Sequence, residues 1–419
     1  MNKKRLFTKS IVALTVAMAS QQAAAAGFQL NGQSATGLGR AFAGDAVIAD
    51  NASVLSRNAA AMALFDAPAI SLGLNVIDTD IQVKDIDYKF AGQSIPGQSN
   101  QSVGGTAYVP NIYYIHPIND KFTVGGGIYS NFGTKTEFDD SFSANAFGGL
   151  TDVKSINFAL SVAYRINEQF SVGGGLDLIY GSGKLQRYVP AFQVPNPMDP
   201  TKPIDVPKTD LVDIDADGYA LGWNIGGVYE VNEDHRFGLS YRYSPDLEAS
   251  GDLKHATDDI SNDKLIMPLP DMAEFSGFHK LNDQFAVHYS VQWIRWSEFD
   301  KLETTGGTEL NKYEWKDGWH YALGGTYYLN NDWELRAGYM YDTSAQDKLT
   351  SISVPDSDRQ WLSGGFTYHI DNKSNIDFGL TYLMGKDINV EESKMPVGSV
   401  TATTRANAWL YGVQYSRSF

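Results

Sequence analysis

The chain has no cysteine. No disulfide, thiolate metal site or cysteine nucleophile can be built from it. It has only 7 histidines in 419 residues. They are scattered over separate turns, loops and strands, and none stands at the spacing of a catalytic triad or a metal site. No apolar run approaches about 18 residues, so no transmembrane helix is expected. Positive charge is scarce: 33 Lys and Arg stand against 49 Asp and Glu, a net charge of −16. That balance argues against a nucleic-acid partner.

What is present points outward from the cell. Lys3, Lys4, Arg5 and Lys9 precede a short apolar run from Ile11 to Ala19, and Ala23, Ala24 and Ala25 follow. This is the pattern of a secretory signal over residues 1–25. Removing its four basic residues, with no acid among them, takes the net charge from −16 to −20. The chain also holds 40 Gly, 23 Tyr and 21 Phe. An exported, acidic chain rich in Gly and aromatics suits an outer-membrane barrel with aromatic girdles.

The period-two pattern supplies the fold class. Phe158, Leu160, Val162, Tyr164 and Ile166 alternate with Asn157, Ala159, Ser161, Ala163 and Arg165. Phe285, Val287, Tyr289, Val291 and Trp293 alternate with Ala286, His288, Ser290 and Gln292. Fourteen such segments begin near residues 68, 105, 121, 152, 169, 217, 235, 270, 284, 317, 332, 358, 375 and 406. Short turns at 116–121, 166–169, 231–235, 280–283, 330–332 and 371–374 alternate with longer polar connections. The prediction is an all-β, 14-stranded antiparallel transmembrane β-barrel over residues 68–419, with short periplasmic turns and an even strand count that leaves no open edge. A large soluble β-sandwich explains neither the signal nor the alternating loop lengths. Residues 26–67 are Gly-, Ala-, Ser- and Asn-rich, with apolar anchors at Phe28, Leu30, Leu38, Phe42, Leu55, Met62 and Phe65. They read as a hatch plugging the lumen. The terminal Phe419, with Tyr415 and Tyr411 on its face, resembles the signal read by the barrel assembly machinery.

The residues also carry a family resemblance. Gly27-Phe28-Gln29-Leu30-Asn31, Gly37-Leu38-Gly39-Arg40-Ala41, Ile48-Ala49-Asp50, Ser56-Arg57-Asn58, Val109-Pro110-Asn111, Pro117-Ile118-Asn119-Asp120 and Ser130-Asn131-Phe132-Gly133 are similar to blocks of the outer-membrane long-chain fatty acid transporter (FadL-like) family. The resemblance runs over essentially the whole mature chain. It implies a fourteen-stranded barrel, an N-terminal hatch and uptake of hydrophobic substrates without chemistry. It implies no cofactor, and lipid or lipopolysaccharide around a barrel expected to be a monomer. The family's hatch usually carries Asn-Pro-Ala where this chain has Asn58-Ala59-Ala60. Losing the proline permits a helix to run through this gating segment.

A long-chain fatty acid needs a dry slot, worth about 0.8 kcal/mol per buried methylene, and charge-assisted donors for its carboxylate. Strand parity turns Arg187 and Lys316, at the extracellular ends of strands five and ten, into the lumen. The resemblance points to a lumenal Arg and Lys at the same places. Two connections are too apolar for solvent. One is Tyr188-Val189-Pro190-Ala191-Phe192-Gln193-Val194, the other Leu265-Ile266-Met267-Pro268-Leu269-Pro270. The resemblance implies a ligand groove between them, lined by Val189, Phe192, Ile266, Met267 and Leu269, and ligand contacts from Phe28 and Leu30. It also implies that strand three kinks inward at Asn131, Phe132 and Gly133 and opens a lateral window, as Gly in a strand often marks a bend. Asp213, Asp215, Asp217 and Gly218 mimic the start of an EF-hand loop. The twelfth position is Asn224, however, so an exposed acidic strand end is the better reading and no metal site is expected. Gly37-Leu38-Gly39 lacks the βαβ unit of a dinucleotide fingerprint. The rivals are an aromatic-hydrocarbon transporter of the same fold, a general porin and, from another class, an outer-membrane lipase or deacylase.

Overall fold

The computed structural model describes residues 27–95, 99–194, 196, 198–199 and 201–419. The expected leader lies outside these residues. Among them, fourteen strands close one antiparallel barrel: β1 Ala69–Phe90, β2 Thr106–Pro117, β3 Phe122–Tyr129, β4 Leu150–Arg165, β5 Phe170–Val189, β6 Thr209–Asn232, β7 His235–Tyr243, β8 Met272–Lys280, β9 Phe285–Ile294, β10 Gly318–Tyr328, β11 Trp333–Asp342, β12 Arg359–Asp371, β13 Ser374–Gly385 and β14 Gly398–Ser418. Each pairs with the next, and β1 pairs with β14 from Ala69↔Ser418 to Lys89↔Ser399, which closes the sheet.

Alternation builds the wall. Leu160, Leu221 and Leu323 point outward and are 74%, 60% and 58% exposed, whereas Ser161, Asn224 and Ala322 on the same strands are buried inside. Such outward apolar residues belong in hydrocarbon, and about 10 residues per strand suffice to cross it. Several strands run further. β6 starts at Thr209 instead of near 217, and β14 at Gly398 instead of near 406. In the β6 extension the sense of the alternation reverses. Val212, Ile214 and Ala216 face in, and Asp213, Asp215 and Asp217 face out. Beyond the hydrocarbon the outside is water, so the same period takes polar residues outward. Lys184 pairs with Asp215 at 2.6 Å there and Lys254 with Asp213 at 3.5 Å, so this acidic run is a strand face.

Five short turns repeat one device. The Oδ1 of Asn119, Asn167, Asn232, Asn282 and Asn330 accepts from the backbone N–H groups two and three residues on, at 2.8 to 3.0 Å. The Asx side chain thereby replaces a backbone turn. Cross-strand aromatic pairs stand directly above, including Phe122–Tyr164 at 4.8 Å and Trp333–Tyr368 at 4.9 Å between ring centroids.

Residues 27–65 lie within the barrel and are almost wholly buried. They form one α-helix, Ala35–Gly39, and two 3-10 helices, Ala52–Ser56 and Ala59–Leu64. Ser34, Asn51 and Asn58 cap them by accepting from Gly37, Ser53 and Ala60 N–H. The last two helices do not merge, although no proline separates them and residue 59 is Ala. Asn58 is extended (φ −149°, ψ 107°), and its amide donates to the Ala46 carbonyl at 2.8 Å and the Gly227 carbonyl at 3.1 Å. The cap therefore interrupts the helix without help from proline. Wall glycines admit the hatch backbone: at Gly173 an added Cβ would lie 2.5 Å from Ala60 N. Charge fixes the hatch as well. Arg40 bonds Asp45 at 2.9 Å and Asp50 at 2.7 Å, and Arg57 reaches Glu274 of β8 at 3.4 Å.

Candidate functional site

The hatch begins inside an aromatic nest. The Phe28 ring lies 4.7 Å from Trp296, 5.1 Å from Phe299, 5.9 Å from Trp315 and 6.1 Å from Phe132, centroid to centroid. Beside it, Leu265, Met267, Leu269, Phe299, Leu302, Tyr313 and Val354 line an apolar cavity at the long-loop end of the lumen. Its free volume is about 40 Å³. Ligand pockets generally run to about 300 Å³ or more, so Phe28 and its neighbours occupy most of the space that an alkyl chain would need.

Polar groups border the cavity as well. Thr134 and Thr151 line it. Arg187, on β5, is buried and donates through Nη2 to Thr151 Oγ1 at 2.7 Å, and through Nη1 to the Leu150 and Gln186 carbonyls at 2.7 and 2.9 Å. All three acceptors are neutral. Among the described residues no carboxylate lies within 4 Å of this guanidinium. Burial raises the pKa of Tyr313, so its hydroxyl stays neutral beside the cavity.

The expected residues divide. Phe28, Met267 and Leu269 line the cavity, and Arg187 stands behind its Thr151 wall. Lys316 does not face inward. It is exposed and pairs with Asp347 at 3.4 Å. Parity fails because β10 starts only at Gly318, and in the loop before it Tyr313 and Trp315 turn inward instead. Leu30 packs with Leu38, Phe42, Ile77 and Trp361, away from the cavity. It is two residues from Phe28 but belongs to a different cluster. Ile266 sits in a short strand, Leu265–Met267, whose other two residues are the buried ones. The two apolar connections do not form the walls of one groove. Val189 and Phe192 pack with Tyr88, Phe138 and Phe147, while Leu265, Met267 and Leu269 join the Phe28 cluster. Trp296, Phe299, Leu302, Tyr313 and Val354 were missed. The same signal, apolar residues inside a predicted loop, marks most of them in 296–315.

The wall is interrupted beside the nest. β3 pairs with β2 only along residues 123–128. Residues 130–132 leave the ladder, and Gly133–Glu137 resumes pairing with β4 alone, one residue out of register. On the other side, residues 106–111 of β2 keep only their β1 partner. The hatch covers the gap from inside. Leu30 N–H donates to the Asn131 carbonyl at 2.6 Å and Gly133 N–H to the Phe28 carbonyl at 2.8 Å, forming an isolated bridge of Gln29 with Phe132. Gln33 donates to the Ser130 carbonyl at 3.1 Å. The expected break at Asn131, Phe132 and Gly133 is thus present; the hatch satisfies the Ser130 and Asn131 carbonyls and Gly133 N–H, while Ser155 of β4 bonds the Phe132 carbonyl at 2.9 Å and the Phe132 N–H at 3.0 Å. Asn111, at the gap's edge, is buried with neither amide atom bonded to the protein.

Comparison with known proteins places this architecture. The outer membrane protein transport protein family (OMPP1/FadL/TodX) matches residues 16–419. A long-chain fatty acid transport protein of Escherichia coli O6:H1 is 37% identical over the whole of both chains. A 47 kDa outer membrane protein of Pasteurella multocida is also 37% identical, again over both whole chains. Among solved structures, a Pseudomonas aeruginosa FadL homologue superposes with a TM-score of 0.82 at 21% identity, covering 94% of this chain and 100% of that one. The CymD monoaromatic hydrocarbon channel superposes with a TM-score of 0.64 at 20% identity, covering 92% and 97%.

Proposed function

We propose, from the premise that the chain belongs to the outer membrane protein transport protein family (OMPP1/FadL/TodX), that it is an outer-membrane channel for uptake of long-chain fatty acids or similar hydrophobic molecules. The observation that carries the reading is the double role of Phe28. Its ring fills the apolar cavity, and its carbonyl accepts from Gly133 where β3 breaks. A tail entering a cavity of about 40 Å³ must move that ring. Moving it strains the bridge that covers the wall gap. Ligand arrival and lateral opening are then one event, and the tail leaves sideways into hydrocarbon without crossing water.

Arg187 favours an acid over an aromatic hydrocarbon, because a buried guanidinium with only neutral acceptors is placed to take a carboxylate. A general porin is the weaker reading, since the hatch fills the lumen. Catalysis has no place in the scheme. The protein works as a monomer, its outward face against lipid and lipopolysaccharide, after assembly by machinery that reads the terminal aromatic. Phe419 N–H donates to the Pro68 carbonyl at 2.9 Å, which supports a fixed C-terminus at the closing seam.

The test is Phe28→Ala, read by equilibrium oleate binding and by growth on oleate. The variant should still bind, because the cavity is larger, but transport poorly, because the ligand no longer pushes the hatch. Normal growth with normal binding would remove Phe28 from the mechanism.

A further inference from the structure

We propose that His235 and His279 form a two-imidazole site for a divalent transition metal, copper(II) above others, on the outer face of the barrel at its short-turn rim. The site is independent of the channel reading, because neither ring faces the lumen. His235 shares its strand face with exposed Leu239, and His279 with exposed Phe275. The rim itself shows that the pair is out of place. Three residues after the capping Asn of the five like turns stand Phe122, Phe170, His235, Phe285 and Trp333. Their cross-strand partners are Tyr164, Tyr229, His279, Tyr327 and Tyr368. Four of these five positions hold an aromatic ring against a tyrosine, with centroids 4.6 to 4.9 Å apart. The position between β7 and β8 holds two imidazoles instead.

These two rings meet through nitrogen and not through their faces. His235 Nδ1 lies 3.1 Å from His279 Nδ1, while the centroids are 5.3 Å apart with the planes at 46°. Two imidazole nitrogens bound to one ion at about 2.0–2.1 Å stand roughly 2.9–3.4 Å apart, so the pair is already at chelating distance. The sequence conceals this, since 44 residues separate the two, and strand pairing brings them together. A second feature orients His279. Its Nε2 stands 3.5 Å from the Tyr289 hydroxyl on β9. Tyr289 can lean across because its cross-strand partner is Gly277, where a Cβ would collide with the phenol ring. A metal-bound imidazole characteristically gives its other N–H to such a partner, which leaves the facing Nδ1 bare. Phe237 packs edge-on against His279, with centroids 5.3 Å apart. The two adjoining turns favour a cation: Glu233, Asp234 and Asp283 lie there against Lys280, which pairs with Asp283 at 3.4 Å. Among the described residues no third His, Asp or Glu joins the pair, so solvent completes the coordination. Imidazole ligation with open positions suits copper(II), which also binds most tightly along the first-row series. Bound there, the ion would tie the β6–β7 turn to the β8–β9 turn.

The competing structure is a plain hydrogen bond from one imidazole to the other, which binds no metal. The experiment uses the full, untagged barrel in phosphatidylcholine nanodiscs. Cu2+ is titrated against a competing chelator, with electron paramagnetic resonance to count the coordinated nitrogens. The control is the double variant His235→Phe with His279→Tyr, which installs the kind of pair found at the other turns and so keeps the rim intact. Wild type should bind one Cu2+ per barrel with a two-nitrogen signal, and the double variant should lose that signal. Tyr289→Phe should keep both nitrogens but bind about tenfold or more weakly, as for other partners that orient a metal-bound imidazole. Equal binding and equal spectra in wild type and double variant would place the ion on other histidines and overturn the proposal. Absence of binding to wild type would overturn it too, in favour of the plain hydrogen bond.

Discussion

A guanidinium taken out of water among neutral oxygens is held at a desolvation cost, and Arg187 is held in this way beside an apolar cavity. Arg187→Ala should weaken binding of a fatty acid by roughly 1.5–3 kcal/mol, the value of a charge-assisted bond, and spare the alcohol of equal length. Equal losses for acid and alcohol in parallel titrations would make Arg187 a structural residue. Lys316 provides the contrast. It is half in solvent and paired with Asp347 at 3.4 Å, and exposed pairs contribute about 0–1 kcal/mol. Lys316→Ala should leave fatty-acid affinity within about twofold in the same titration, on that small value. A large loss would mean that Lys316 turns inward when ligand arrives.

At the scale of elements, the break in β3 and the glycines behind the hatch carry the mechanism. Gly133→Val favours an extended, paired strand where the ladder now fails. It should abolish growth on oleate while outside ligand still binds the purified barrel. Growth at the wild-type rate would exclude the lateral route and leave an axial one past a moving hatch. Gly173 tests the seating of the hatch. A Cβ there would come within 2.5 Å of Ala60 N, too close for either backbone to tolerate, and both neighbouring elements are fixed. Gly173→Val should unseat the last hatch helix and raise ion conductance in planar bilayers, with the barrel's strand content by circular dichroism unchanged. A silent conductance trace would show that the helix can shift without opening a path.

For the whole molecule, wall and hatch are separable structures. The wall closes on itself through a ladder that runs from Ala69↔Ser418 to Lys89↔Ser399. The hatch touches it through the backbone bridge to Asn131 and Gly133, apolar packing, side-chain bonds, glycine contacts and a few ion pairs, among them Arg336 to Asp50 at 3.8 Å. Removing residues 27–65 should therefore leave a folded barrel, with the resistance to detergent-induced unfolding on gels that closed ladders confer, but an open one. Its conductance should rise well above that of the intact protein. A deletion variant that fails to assemble would make the hatch part of the folding core.

The sequence by itself determined the wall. A strand with lipid on one side and a filled lumen on the other must alternate with period two, so Leu160 beside Ser161 fixes which residue meets hydrocarbon. The short turns were legible for a related reason: an Asn three residues before an aromatic strand start, as Asn167 stands before Phe170, forms its cap within the turn itself. Strand ends were not legible, because the alternation continues beyond the membrane with its sense reversed, as in Asp213, Asp215 and Asp217. Only the tertiary structure decided the site. Parity gives a direction only while the ladder continues, so it placed Arg187 inside β5 correctly and failed for Lys316, which precedes β10. Phe28 and Leu30 are neighbours in a segment with no period to read. They part because Gly133 and Asn131 pin the backbone between them against a broken strand far along the chain. Val354 reaches the cavity because the 343–358 connection folds inward. Contacts of that kind depend on which loops the closed barrel brings together, and a one-dimensional pattern of apolar and polar residues does not encode that choice.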